Sequence, residues 1–158
     1  MAARVDRRMI VTATVCALAA VAVTLWLLHP RALQVAPATA DGSAACARVA
    51  ARWPDVVAGL TRRDDLRGGA RAAAAWGEPA VIARCGVPAL APTTDQCVSA
   101  DGVDWVVRDL SDGQRLTSYG TDPAVEVLVP RRYAPAPLRV GAFAPAVRTL
   151  PGNGHRCR

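Results

Sequence analysis

The 158-residue chain has no lysine: all nineteen of its basic residues are arginine. That absence removes Schiff-base chemistry and a lysine general base, and beside abundant alanine it is what a GC-rich genome imposes. Histidine is nearly missing as well. His29 follows an apolar run and His155 lies in a glycine-rich tail, so no Ser-His-Asp set can be assembled from the middle of the chain. Aromatic residues make up only 4% and charged residues 20%, against 52% hydrophobic. So little charge excludes a disordered chain, and the length excludes a large multidomain enzyme.

One long uncharged run is present, from Met9 to Leu28. At ~1.5 Å per helical residue it matches a hydrocarbon core of about 30 Å. Arg4, Arg7 and Arg8 outnumber Asp6 ahead of it. The positive-inside rule therefore predicts a cytoplasmic tail over 1–8, a transmembrane signal anchor through the lipid bilayer over 9–28, and everything after it on the far side of the cell membrane. Cys16 then reads as a small apolar side chain buried in the helix. A cleaved, secreted form is the alternative, because Ala38-Thr39-Ala40 offers small residues before Asp41. The apolar run is longer than a usual signal core of about 7 to 15 residues, which favours the anchor.

Residues 29–43, rich in Ala, Pro and Thr, read as a flexible linker. An extracytoplasmic domain is expected over 44–150, with a short tail at 151–158. Val49, Trp53, Val56, Val57 and Leu60 recur at helical spacing, which predicts a helix over 44–60 that Pro54 kinks or breaks. Four strands are predicted over 80–85, 103–109, 114–119 and 124–129, with Ser111-Asp112-Gly113 turning between the second and third. A last helix fits 138–150, weakened by Gly141 and Pro145. Helix, strands and helix with short connections predict an α+β domain, its antiparallel sheet of about four strands packed by one or two helices.

Bulky apolar residues are only about a quarter of the chain beyond Asp41, enough for a modest core. Cys46, Cys85, Cys97 and Cys157 lie in this part. Four cysteines in an exported domain point to two disulfides, with three possible pairings. Their spacing contains no C-x₂₋₄-C knuckle, so no metal and no cofactor is expected.

Several short motifs follow one another after the apolar segment. Cys46 opens a helix that reaches Trp53-Pro54. Ala75-Trp76-Gly77-Glu78-Pro79-Ala80-Val81 runs into Arg84-Cys85-Gly86-Val87-Pro88. Gly102-Val103-Asp104-Trp105 and Pro123-Ala124-Val125-Glu126-Val127-Leu128-Val129-Pro130 come after it. In this order they resemble the actinobacterial domain of unknown function catalogued as number 3515, over most of 46–150. The resemblance implies a small membrane-anchored or exported envelope protein without an assigned activity. It also implies a bond between Cys46 and Cys85, joining the first helix to the first strand, which leaves Cys97 for Cys157. A loop of about forty residues closed this way stabilises by roughly 3 to 4 kcal/mol in the chain-entropy model.

Carboxylates are the remaining source of acid and base chemistry. Asp64 and Asp65 sit in a charged loop, and Asp101 and Asp104 flank Gly102-Val103; turn capping accounts for each. Glu126 is more informative, because strand alternation sets it opposite Val125, Val127 and Val129, where a cross-strand Arg84 or Arg108 would satisfy it. Gly68-Gly69 lacks the spacing and the lysine of a phosphate loop. Half of the formal charge of +6 comes from Arg4, Arg7, Arg8 and Arg31 against Asp6, so the outer domain is only mildly basic. Nucleic acid is not an expected partner. The expected protein is a single-pass, non-enzymatic envelope module that binds an envelope protein or a cell-wall component. Trp53, Trp76 and Trp105 are the candidate binding residues, as an aromatic cleft or else as core. A small envelope hydrolase or transferase using paired carboxylates is the rival, and no catalytic residue is assigned.

Overall fold

In a computed structural model, which describes residues 7–28 and 32–158, the uncharged run forms helix α1 (Arg7–Leu28). Among the described residues, however, no helix is long and apolar enough to cross a membrane. This corrects the expected transmembrane helix over 9–28. The side chains described in α1 are those of residues 11 and 14–25, with Thr14 and Thr24 among them. The side chains at both ends of the expected span, and most of the expected tail over 1–8, lie outside the described residues. Cys16 is a free and exposed thiol rather than a buried one.

The second unit begins at Leu33. In chain order it contains β1 (Leu33–Gln34), α2 (Ala44–Ala50), β2 (Val56–Val57), β3 (Leu60–Thr61), β4 (Leu66–Arg67), β5 (Ala73–Trp76) and β6 (Val81–Val87). Then come β7 (Cys97–Ala100), β8 (Val103–Asp109), β9 (Gly113–Tyr119), β10 (Ala124–Pro130), α3 (Pro137–Val140) and α4 (Ala144–Val147). Six of these strands form one antiparallel sheet in the order β5-β6-β10-β9-β8-β7. A sheet-rich domain thus replaces the expected α+β domain of about four strands and one or two helices.

The physical reasons are local. Strands form at the four predicted places, and β5 and β7 join them at the two edges. β5 is an alanine run, a composition that favours helix in isolation, yet pairing with β6 and burial of Ala74 and Trp76 decide its state. The helix expected over 44–60 ends at Ala50. Pro54 cannot continue it, and its carbonyl accepts the Trp76 indole N–H at 2.9 Å. The chain then makes the β2–β3 hairpin through Ala58 and Gly59, both at positive φ, as a two-residue turn demands. The expected last helix is broken by Gly141 and Pro145 into α3 and α4, four residues each.

Alternation sorts the sheet into two faces. Ala83, Cys85, Trp105, Leu116, Val125, Val127 and Val129 point to one face and form the core with Val49, Val140, Phe143 and Val147 from the helical segments. Trp53, Trp76 and Phe143 meet edge to face, with ring centroids 5.1 to 6.4 Å apart. The Cys46–Cys85 disulfide ties α2 to β6 on this side.

The segment expected as a flexible linker over 29–43 is structured from Leu33 onward. β1 pairs in parallel with β4, and the buried Asp41 carboxylate accepts the backbone N–H groups of Arg71 and Ala72 at 2.8 and 2.9 Å. Gly86 permits this approach: a Cβ there would lie 2.5 Å from the Asp41 nitrogen.

Candidate functional site

The second face of the sheet carries polar side chains. Glu126 on β10 is opposite Arg84 on β6 and Thr117 on β9. Arg84 Nε donates to Glu126 Oε1 at 2.8 Å, and Arg115 Nε lies 3.1 Å from Oε2. One carboxylate, only 5% exposed, is thereby flanked by two guanidinium groups. Further along the same face, Arg108 on β8 forms an ion pair with Asp95 at 2.7 Å. The Arg108 hydrogen bond, with a second from Thr93, holds the Asp95 carboxyl below its ordinary range against a small opposing effect of burial.

The C-terminal segment, expected as a tail over 151–158, is fixed onto this face. Cys157 is bonded to Cys97 on β7, and its N–H donates to Asp104 at 2.8 Å. Asn153 N–H donates to the Gly120 carbonyl at 2.9 Å, and Gly152 bridges Thr121. A Cβ on Gly120 would come 2.3 Å from the His155 carbonyl oxygen, so only glycine lets the segment pass so close to the end of β9. The His155 ring bonds through Nδ1 to the Leu90 carbonyl at 3.2 Å and lies 5.4 Å from the Tyr119 ring, tilted by 31°.

Between this segment and residues 92–95 opens a cleft of about 560 Å³. Val106, Tyr119 and the Cys97–Cys157 bond line it. Thr93, Thr94 and Asp95 border one side, and His155, Arg156 and Arg158 the other. Arg156 and Arg158 are exposed, and neither has an ion-pair partner among the described residues. The Arg108–Asp95 pair balances its own charge. The arrangement can hold an anion, and it offers hydroxyl and aromatic surface beside the charge.

The candidate residues distribute differently from expectation. Trp76 and Trp105 are fully buried and Trp53 is 5% exposed, all in the core on the opposite face. They form no aromatic cleft, which corrects that reading; bulky apolar rings gain more from core burial in a domain this small. The Trp53 and Trp105 indole nitrogens are buried without a hydrogen-bond acceptor among the described residues. Asp65 binds Arg63 through both carboxylate oxygens at 2.6 and 2.8 Å, which holds its carboxyl below the ordinary range and raises the Arg63 guanidinium, also bonded to Glu78. Asp104 accepts from Ser99 and from the Cys157 N–H, while the backbone carbonyl of Asp101 accepts from Arg148. The Asp65 and Asp104 carboxylates thus have structural partners, while Asp101 is held through its backbone. No group of three or more His, Cys, Asp or Glu side chains is placed to hold a metal among the described residues.

Both disulfides are those the resemblance implied: Cys46–Cys85 and Cys97–Cys157. The cleft itself was not expected, because residues 151–158 read as a tail. Its one signal was Cys157, a cysteine placed within a glycine-rich segment where it has a use only if the segment docks. The profile of one protein family, described as a protein of unknown function (DUF3515), matches residues 8–153. No curated protein and no solved structure matches the chain.

Proposed function

Because the chain belongs to the DUF3515 family, whose description carries no activity, we propose from its own residues a non-enzymatic binding module of the cell envelope, acting outside the cytoplasm. The observation that carries this reading is the Cys97–Cys157 bond, which pins an otherwise irregular segment so that it walls a cleft. Two disulfides in a domain with a modest core suit an oxidising compartment, where such bonds form and persist. Between the two partners the sequence allows, a concave and polar cleft favours a wall component over an envelope protein. A protein partner would call for a larger and flatter apolar surface.

The test is cosedimentation of the oxidised full chain with purified cell wall, paired with thiol trapping in intact cells. Retention in the wall pellet is expected, with Cys46, Cys85, Cys97 and Cys157 all refractory to the trapping reagent. A chain that stays in the supernatant, or whose four cysteines are free thiols in growing cells, overturns the proposal.

A further inference from the structure

We propose that the cleft beside the Cys97–Cys157 bond is a binding site for an anionic saccharide, a sugar unit bearing a phosphate or a carboxylate, with Arg156 and Arg158 as its anion-binding groups. This rests on the reading of the domain as a wall-binding module and names the chemistry its cleft would take.

Charge is the first argument. Arg156 and Arg158 flank a cysteine whose side chain turns toward the sheet, and both are exposed at the cleft. Two exposed guanidinium groups thus line the cleft without an ion-pair partner among the described residues, whereas Arg108 is paired with Asp95. An oxyanion entering the cleft can accept forked hydrogen bonds from such planar cations.

Preorganisation is the second. The segment that carries them is tied by a disulfide, by the Asp104 carboxylate, by the Gly120 carbonyl and by the His155 ring on Leu90. Ordering the backbone on binding therefore costs little.

The third argument concerns the remainder of the ligand. The cleft offers the Thr94 hydroxyl, which donates to no protein group among the described residues, and Tyr119, whose ring packs on one side against the His155 ring. Its volume of about 560 Å³ is of the size that takes a small ligand. A hydroxyl-rich ligand with one flat apolar face and one negative charge matches this surface; an apolar ligand does not.

The experiment titrates the isotope-labelled, oxidised full chain with glucose 6-phosphate, galacturonate and neutral glucose at constant ionic strength, following backbone amide shifts. Saturable shifts at Thr93, Thr94, Tyr119 and residues 155–158 are expected with at least one anionic sugar, and the two anionic probes distinguish a phosphate from a carboxylate source. Neutral glucose, and the R156Q/R158Q variant with either anionic sugar, should bind about tenfold more weakly. Arg132→Gln, which removes one exposed arginine away from the cleft, should leave the affinity unchanged. No saturable shift with either anionic sugar, equal binding of glucose, or undiminished binding by R156Q/R158Q would each overturn the proposal. A chain that sediments with wall but shows no cleft shifts defeats this site alone, whereas cleft shifts without sedimentation defeat the wall reading alone.

Discussion

Glu126 sits in a strand of otherwise apolar side chains, where a 5% exposed carboxylate is costly unless it is paired. The sequence pattern exposes the need for an arginine, and Arg84 supplies it. The second partner is Arg115 rather than Arg108, which turns to Asp95. That choice depends on β9 lying between β10 and β8, an arrangement that no local spacing encodes. Replacing Glu126 by Ala leaves two guanidinium groups facing each other across the strand. Since Arg84 and Arg115 remain 27% and 40% exposed, the cost is below that of a fully buried broken pair. We expect a loss of about 2 kcal/mol, read as a lower urea midpoint with unchanged slope. The double variant with Arg84→Ala should lose less than the sum of the single variants, because the two residues share one interaction. Strictly additive losses would show that the pair contributes nothing to the fold.

Among the elements, the two disulfides do different work. Cys46 lies in the first turn of α2, where Ser43 caps the helix by accepting the Cys46 N–H at 3.2 Å, and both Cys46 and Cys85 are wholly buried. Cys97 and Cys157 are partly exposed on the opposite face. A reductant reaches a buried bond only when the structure opens, whereas the bond at the cleft is accessible in the native state. Under graded dithiothreitol, alkylation and mass spectrometry should find Cys16 labelled throughout and, of the four bonded cysteines, Cys97 and Cys157 labelled first. Cys46 and Cys85 should follow only as the sheet unfolds. Simultaneous labelling of all four would count against this order. The pairing was legible only through the motifs that carry the family resemblance, since four cysteines alone leave three pairings open. Elsewhere, local composition misleads where tertiary pairing wins. The alanine run of β5 carries no strand signal of its own until β6 is beside it, and the helical spacing of Val56, Val57 and Leu60 conceals a hairpin whose turn is Ala58-Gly59.

At the scale of the whole molecule, the strands of the sheet centre were legible because alternating β-branched residues and Asp-Gly turns act locally. The limits of the folded unit were not, because residues 33–43 and 151–158 have no periodicity and are held by contacts to residues far away in the sequence. Asp41 illustrates the point: it reads as a linker residue, yet its carboxylate is the acceptor for two backbone N–H groups thirty residues away. A fragment beginning at Leu33 retains β1, its pairing with β4, and Asp41. One beginning at Ala44, the boundary the sequence suggests, loses all of these and leaves the buried Ala72 N–H without an acceptor, a loss of about 1–3 kcal/mol from that group alone. Oxidised 33–158 should therefore unfold in one cooperative transition by tryptophan fluorescence, with Trp53, Trp76 and Trp105 reporting together because all three lie in one core. Its midpoint should match that of the same transition in the full chain, since α1 belongs to a separate unit. The 44–158 fragment should unfold at a clearly lower denaturant concentration, and restoring residues 33–43 with Asp41→Ala should recover only part of the difference. Equal midpoints for the fragments starting at 33 and 44 would mean that residues 33–43 lie on the fold without stabilising it.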